Sequence, residues 1–311
     1  MGSPDFALPA LRALAKDYDV VGVVTQPDRA SGRGREMKAP PVKLLAQGLN
    51  LPIIQPEKLK QPEALEQLRA WAPDLIVVAA FGQILRRDVL ELPRHGCLNV
   101  HASLLPRWRG AAPINAAILH GDEETGVTIM QMDAGLDTGP MLAKRSIRIA
   151  PDDTAGYIFK ILSTLGANLL IETLPDYLSG ALQPEPQPEE GATYAPMLKK
   201  EEGRLEFDSD VFELERRVRA FNPWPGAFMD FDGTTLKVHR AHVAPLLPGD
   251  REAPRRGGSG VRGMEAGKRL IVENQPAVGA RGGLLVLDEV QPAGKRSMNG
   301  KSFLAGARNW A

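Results

Sequence analysis

Between residues 20 and 177 the chain alternates short β-branched runs with segments of helical period, and that alternation restricts the possible folds more than any other feature. Residues 20–26 read VVGVVTQ and residues 75–80 read LIVVAA. Unbroken apolar runs of that length suit strands buried on both faces. Residues 98–102, 127–132 and 141–149 read as further strands, and residues 52–55 as an extended segment. Helices are predicted over 41–49, 63–70, 84–92, 110–120 and 154–177. In the last, Tyr157, Ile161, Leu165 and Leu169 fall on one face. The pattern predicts an α/β domain with a mostly parallel sheet covered on both sides. Ser3-Pro4 is a good helix start, and Phe6, Leu8, Leu11 and Leu14 continue it. A strand is expected ahead of that helix, and none is readable. Either the fold opens on a helix or the true start lies upstream of Met1.

The second half changes character. Residues 181–198 carry prolines and a Glu/Gln-rich stretch and read as a linker after a first domain over 1–180. A helix over 211–221 follows. Short alternating runs over 227–232, 235–242, 269–273 and 283–289 then predict a small antiparallel sheet or barrel within a second domain, 199–311. Residues 247–268 are rich in Gly and Arg and read as a loop. The 311 residues suffice for two domains. No apolar run is read as reaching the ~20 residues of a membrane helix, so no membrane partner is expected. The single cysteine, Cys97, excludes an internal disulfide and a cysteine-rich zinc site, and fits a reducing, cytoplasmic compartment. Net charge is zero, but residues 216–311 hold 16 Lys and Arg against 8 Asp and Glu. One basic end can meet a polyanion while the whole chain stays neutral.

Chemistry concentrates at Asn99-Val100-His101-Ala102-Ser103. Residues two apart in a strand point the same way, so Asn99, His101 and Ser103 share one side. The strand's C-terminal edge is where ligands bind in open α/β sheets. His101 can move a proton near neutral pH, and Asn99 can donate to an oxyanion without titrating. Asp133-Ala134-Gly135-Leu136-Asp137-Thr138-Gly139 forms a turn-rich loop after another strand, and an Asp there could orient His101 or relay its proton. Each stretch has a plainer rival: a structural histidine, an ordinary Asp/Gly loop. Asp-Thr-Gly also occurs in aspartic proteases, but a single copy in a parallel α/β fold speaks against that class. The Arg/Gly loop 31–35 could reach a phosphate backbone. No Walker A or GxGxxG pattern is present, and the histidine spacing makes no metal set.

In these residues the chain resembles the folate-dependent formyltransferases. Asn99-Val100-His101, then Ser103-Leu104-Leu105-Pro106-Arg107-Trp108-Arg109-Gly110, then Gly135-Leu136-Asp137-Thr138-Gly139 carry the likeness. Residues 25–29 with Arg33, 126–132, 221–225 and 291–295 narrow it to members that formylate methionyl-tRNA. The resemblance covers residues 1–311. It implies a Rossmann-like catalytic domain joined to a small OB-like β-barrel domain. It implies Asn99, His101 and Asp137 as catalytic residues. Ser103, Leu104, Leu105, Pro106, Phe81, Gly82, Gln83 and Ile84 would line the folate pocket, and Arg33 would hold the tRNA acceptor end. The co-substrate would be 10-formyltetrahydrofolate, with no metal, and the acceptor the methionyl amine of initiator tRNA, on a monomeric enzyme. Rival readings are a small-amine formyltransferase, a formyltetrahydrofolate hydrolase and a non-catalytic RNA-binding protein. Two departures stand out: members of the family begin with a strand before the Gly2–Phe6 turn, and the 247–268 loop fits the pattern poorly.

Overall fold

The computed structural model describes residues 1–31, 36–244 and 265–311. Arg33 and most of the 247–268 stretch lie outside the described residues. The chain divides into two compact units. The first comprises residues 1–113, 124–148 and 158–196; the second comprises 114–123, 149–157 and 197–311.

In the first unit, helix α1 (Leu8–Asp17) leads to β1 (Val23–Val24), then to the hairpin strands β2 (Arg29–Ser31) and β3 (Glu36–Lys38). Helix α2 (Pro41–Gly48), β4 (Ile53–Ile54), α3 (Pro62–Trp71), β5 (Ile76–Val78), α4 (Arg87–Leu90) and β6 (Cys97–His101) follow. The short β7 (Arg109–Gly110) precedes β8 (Glu124–Gln131), β9 (Met141–Arg148), α6 (Ala155–Ser179) and β10 (Tyr194–Ala195), while α5 (Pro113–Leu119), between β7 and β8, belongs from Ile114 on to the second unit. β1 pairs β4, and β5 pairs β6, both parallel. β6–β8 and β8–β9 are antiparallel. The expected mostly parallel sheet is therefore only half realised. The 132–140 loop joins β8 to β9 as a hairpin, and a hairpin connection permits only antiparallel pairing.

Residues 20–26 yield a strand of two residues because little stands between β1 and β5. Among the described residues Met1 and Gly2 bridge them: Gly2 N donates to Val24 O at 3.1 Å and Ala79 N donates to Met1 O at 3.0 Å. Beside them lies a cavity of about 410 Å³ lined by α1, β1, β5 and Trp71. The helix expected over 84–92 shrinks to α4, with Ile84 ahead of it in solvent. Two expectations about α6 need correction. It is a 25-residue helix long and apolar enough to cross a membrane, yet half of its most apolar window is buried in the protein. Its inward face runs through Ile158, Leu162, Leu169, Leu170 and Leu174, and Tyr157 is exposed. A helix apolar almost all round has no period that selects a face. The stretch expected as a linker is structured up to Pro196 as part of the first unit, with β10 pairing β7.

In the second unit, α7 (Val211–Ala220) covers strands β11 (Ala227–Phe231), β12 (Thr234–Ala244), β13 (Arg269–Val272), β14 (Gln275–Ala280), β15 (Gly283–Pro292) and β16 (Met298–Asn299), with α8 (Gly300–Gly306) at the end. Asp210 caps α7 by accepting from Phe212 N at 2.9 Å. The sheet is antiparallel in the order β11-β12-β15-β14-β13, with β16 beside β15. Among the described residues β11 and β13 are never paired with each other, so the expected barrel is not closed. β14 went unread because Pro276 and Gly279 lie inside it, and both argue against a strand. Val211, Leu214, Val218, Leu285, Leu287 and Trp310 make the core.

Candidate active site

β6 lies between β5 and β8, and its two faces do different work. Leu98 and Val100 are buried. Val100 packs on α6 at Gly166, where an added Cβ would stand 2.6 Å from Val100 Cγ1. Asn99 and His101, one residue out of phase, take the opposite face. Past His101 the chain turns, and the turn is tied down from β8. Thr128, the register partner of His101, donates its hydroxyl to Ser103 O at 2.7 Å and accepts from Leu105 N at 3.1 Å. Ser103 Oγ donates to Arg107 O at 2.6 Å. The turn brings Trp108, at φ 61°, under the imidazole.

His101 Nε2 lies 2.9 Å from Trp108 O. A carbonyl only accepts, so Nε2 carries the hydrogen and Nδ1 keeps its lone pair when the ring is neutral. Nδ1 faces Asp137 Oδ2 at 3.7 Å, beyond direct hydrogen-bond range. The carboxylate is held by two other donors: Asn99 Nδ2 to Oδ1 at 3.3 Å and Gly110 N to Oδ2 at 2.8 Å. His101 and Asp137 side chains are 5% and 14% exposed, so their interaction is little screened. Asp137 sits at φ 53°, a left-handed conformation costing about 1–3 kcal/mol that the surrounding bonds must hold. The loop is shaped by Asp133, whose Oδ1 accepts from Gly135 N at 2.9 Å and Thr138 Oγ1 at 2.8 Å. A Cβ on Gly139 would fall 1.9 Å from Gln131 O, so only glycine lets the loop return to the sheet.

The structure thus brings Asn99, His101 and Asp137 together. The remaining predicted residues divide. Phe81 is buried in a core with Val78, Leu85 and Val89. Gln83 accepts from Leu59 N at 2.7 Å and donates to Pro56 O at 3.1 Å, so its amide is engaged. Gly82 has φ 76°, and Ile84 is 87% exposed. Ser103 and Leu105 are fully buried, with Leu104 and Pro106 half-buried. Burial pushes the Cys97 thiol up to about 12, so it is no nucleophile. His239 meets Gln291 and His242 meets Asp288. Among the described residues no three His, Cys, Asp or Glu groups are placed to hold a metal ion. Sequence reasoning missed the Trp108 carbonyl and the Gly110 amide. Both are backbone groups, which any residue offers and no side-chain pattern marks.

An imidazole, an amide donor and a fixed carboxylate at one strand end offer a proton acceptor and a hydrogen-bond donor of the kind that acyl-type transfer uses. Residues 5–174 match the Formyl transferase family, and residues 197–308 match Formyl transferase, C-terminal domain. The fold also resembles the solved structure of WlaRD, a sugar 3N-formyl transferase, at TM-score 0.66 and 18% identity over 95% of this chain and 97% of that one. At that identity the likeness concerns the fold alone. The Methionyl-tRNA formyltransferase of Myxococcus xanthus (strain DK1622) is 51% identical over 98% of this chain and 93% of that protein. The one of Geobacter metallireducens is 48% identical over 99% and 94%. The chain belongs to the methionyl-tRNA formyltransferase family.

Proposed function

We propose that the chain transfers the formyl group of 10-formyltetrahydrofolate to the amino group of methionyl initiator tRNA, in the cytoplasm, as a monomer. The observation that carries this reading is the convergence of Asn99 and His101 on the Asp137 carboxylate, Asn99 by a hydrogen bond at 3.3 Å and His101 facing it at 3.7 Å. Folate supplies an activated formyl carbon. Asn99 uses one Nδ2 hydrogen on Asp137 and keeps the second for the oxyanion that develops when the amine attacks. His101, its Nε2 hydrogen committed to Trp108, has only Nδ1 with which to take the amine's proton. Asp137 stabilises the resulting imidazolium, and the same proton can return to the departing folate nitrogen. No protein nucleophile and no metal enter these steps.

For the folate ring the fitting surface is apolar. Ile84 is the most exposed large hydrophobic side chain among the described residues, and Leu104 and Pro106 are part-exposed. Gly82 gives the loop of Ile84 its turn. Phe81, Gln83, Ser103 and Leu105 act by shaping that surface from beneath. Arg33 takes the tRNA acceptor end, and the basic residues of 216–311 contact its backbone.

The test is formyl transfer from 10-formyltetrahydrofolate to methionyl initiator tRNA. Losing one oxyanion donor costs about 10²–10³ in rate, so Asn99→Ala should drop kcat by that much. Wild-type activity on a small amine in place of tRNA would move the reading to another acceptor. Near-normal turnover by Asn99→Ala would remove Asn99 from the chemistry.

A further inference from the structure

Gln187 lies in the Pro/Glu-rich stretch after α6, where nothing in the sequence suggests a role. That stretch is anchored at both ends. Glu185 and Met141 exchange backbone hydrogen bonds at 2.7 and 2.8 Å. Arg109 N donates to Thr193 O at 2.9 Å, and Trp108 N donates to Thr193 Oγ1 at 2.9 Å. Between the anchors, Gln187 reaches into the Asp137 loop. Its Nε2 donates to Asp137 O at 2.9 Å and to Gly139 O at 2.7 Å. Its Oε1 accepts from Arg109 Nε at 3.1 Å. One side-chain amide therefore uses both hydrogens on the loop that carries Asp137 and its oxygen on a buried guanidinium.

Arg109 fixes which way round that amide lies. It is 1% exposed; among the described residues Nη2 has no hydrogen-bond partner, and the acidic group beside it is Glu189, 3.9 Å from Nη1 and itself largely exposed. A guanidinium has only donors, so Gln187 must present its oxygen to Arg109 and its NH₂ to the loop. Asp137 needs such a hold, because a left-handed aspartate relaxes unless its surroundings over-determine it. The next residue after Arg109 is Gly110, whose N–H grips Asp137 Oδ2. Backbone and carboxylate of Asp137 are thus held from the Arg109–Gly110 strand, one directly and one through Gln187.

We propose that Gln187 is a positioning residue that sets the Asp137 carboxylate against Asn99 and His101, with Arg109 orienting it. The kinetic side of this rests on the formyl-transfer reading; the structural side does not. Displacing a reacting group by about 1 Å from a remote site costs up to about 10²-fold in rate. Gln187→Met keeps length and loses every hydrogen bond. It should lower kcat by about 10–100-fold while KM for each substrate moves less than about threefold. Gln187→Glu places carboxylate oxygens against two carbonyls at neutral pH. Protonated, it regains one donor, so its kcat relative to wild type should rise as pH falls, whereas the ratio for Gln187→Met stays flat.

The deciding measurement independent of turnover is the Gly110 amide proton resonance in ¹⁵N-labelled protein, which reports its bond to Asp137. It should move upfield in Gln187→Met, in the direction it moves in Asp137→Ala. A Gly110 resonance unchanged in Gln187→Met, or a kcat within about threefold of wild type, would overturn the proposal. Should Gln187→Met fail to fold, the Gln187→Glu protein decides through the same resonance and its pH-dependent ratio, a flat ratio counting against the proposal. Should wild type transfer no formyl group, the formyl-transfer reading falls and the Gly110 resonance alone judges Gln187.

Discussion

At the residue scale the site works by denying alternatives. The Trp108 carbonyl leaves His101 a single basic nitrogen, and the Gly110 amide leaves Asp137 no freedom to swing onto it. Asn99 and His101 were legible in sequence because strand alternation places them on one side. Asp137 was legible only through resemblance, since an Asp in a Gly-rich turn is common; its twin, Asp133, proves to be a turn maker. Asp28 is a separate case. Hydrogen bonds from Gln55 at 2.7 Å and Lys43 at 2.7 and 2.9 Å hold its carboxyl below the usual range. A lowered folded pKa adds stability that is fully present above the ordinary value near 4 and is lost as pH falls through the lowered one. The urea midpoint of wild type should therefore exceed that of Asp28→Asn at pH 7, with the gap narrowing as pH falls below about 4. A gap that is constant with pH would assign it to packing.

Element by element, the strand that holds Asn99 and His101 was read well and boundaries poorly. β6 appears at residues 97–101 where 98–102 was expected, because its pattern of apolar and polar residues fits one half-buried strand. β1 was overread, since β propensity cannot register that its partner β4 is only two residues long and that little stands on its other side. The α6 face was misread by one residue for want of polar contrast. That helix nevertheless positions the site, because Gly166 sets how closely it meets Val100 on β6. Gly166→Ala gains about 1 kcal/mol in helix propensity. It also drives a methyl into a stiff β-branched side chain, and overpacking costs about 1–3 kcal/mol. The net expectation is destabilisation of about 1 kcal/mol, read as a lower urea midpoint with an unchanged slope. A higher midpoint would mean that Val100 yields.

For the molecule as a whole, charge is spread unevenly along the chain. Residues 216–311 carry a surplus of eight positive charges within a chain of zero net charge. Phosphate contacts release counterions, so tRNA affinity should fall steeply with salt, by about tenfold or more between 50 and 200 mM. Filter binding over that range would show it, and a flat response would disqualify residues 216–311 as an RNA surface. The sequence by itself determined the α/β character of the first half, the antiparallel strands of the second, and the Asn99–His101 pair. These follow from local periodicity, which chain chemistry imposes residue by residue. Tertiary structure decided the rest. It decided that β8 returns antiparallel to β6, that the stretch after α6 folds back onto the first unit, and that Gln187 reaches Asp137 across 50 residues of sequence. Those facts depend on which backbone groups end up facing one another. No side-chain pattern along the chain encodes them, because every residue but proline offers the same N–H and C=O.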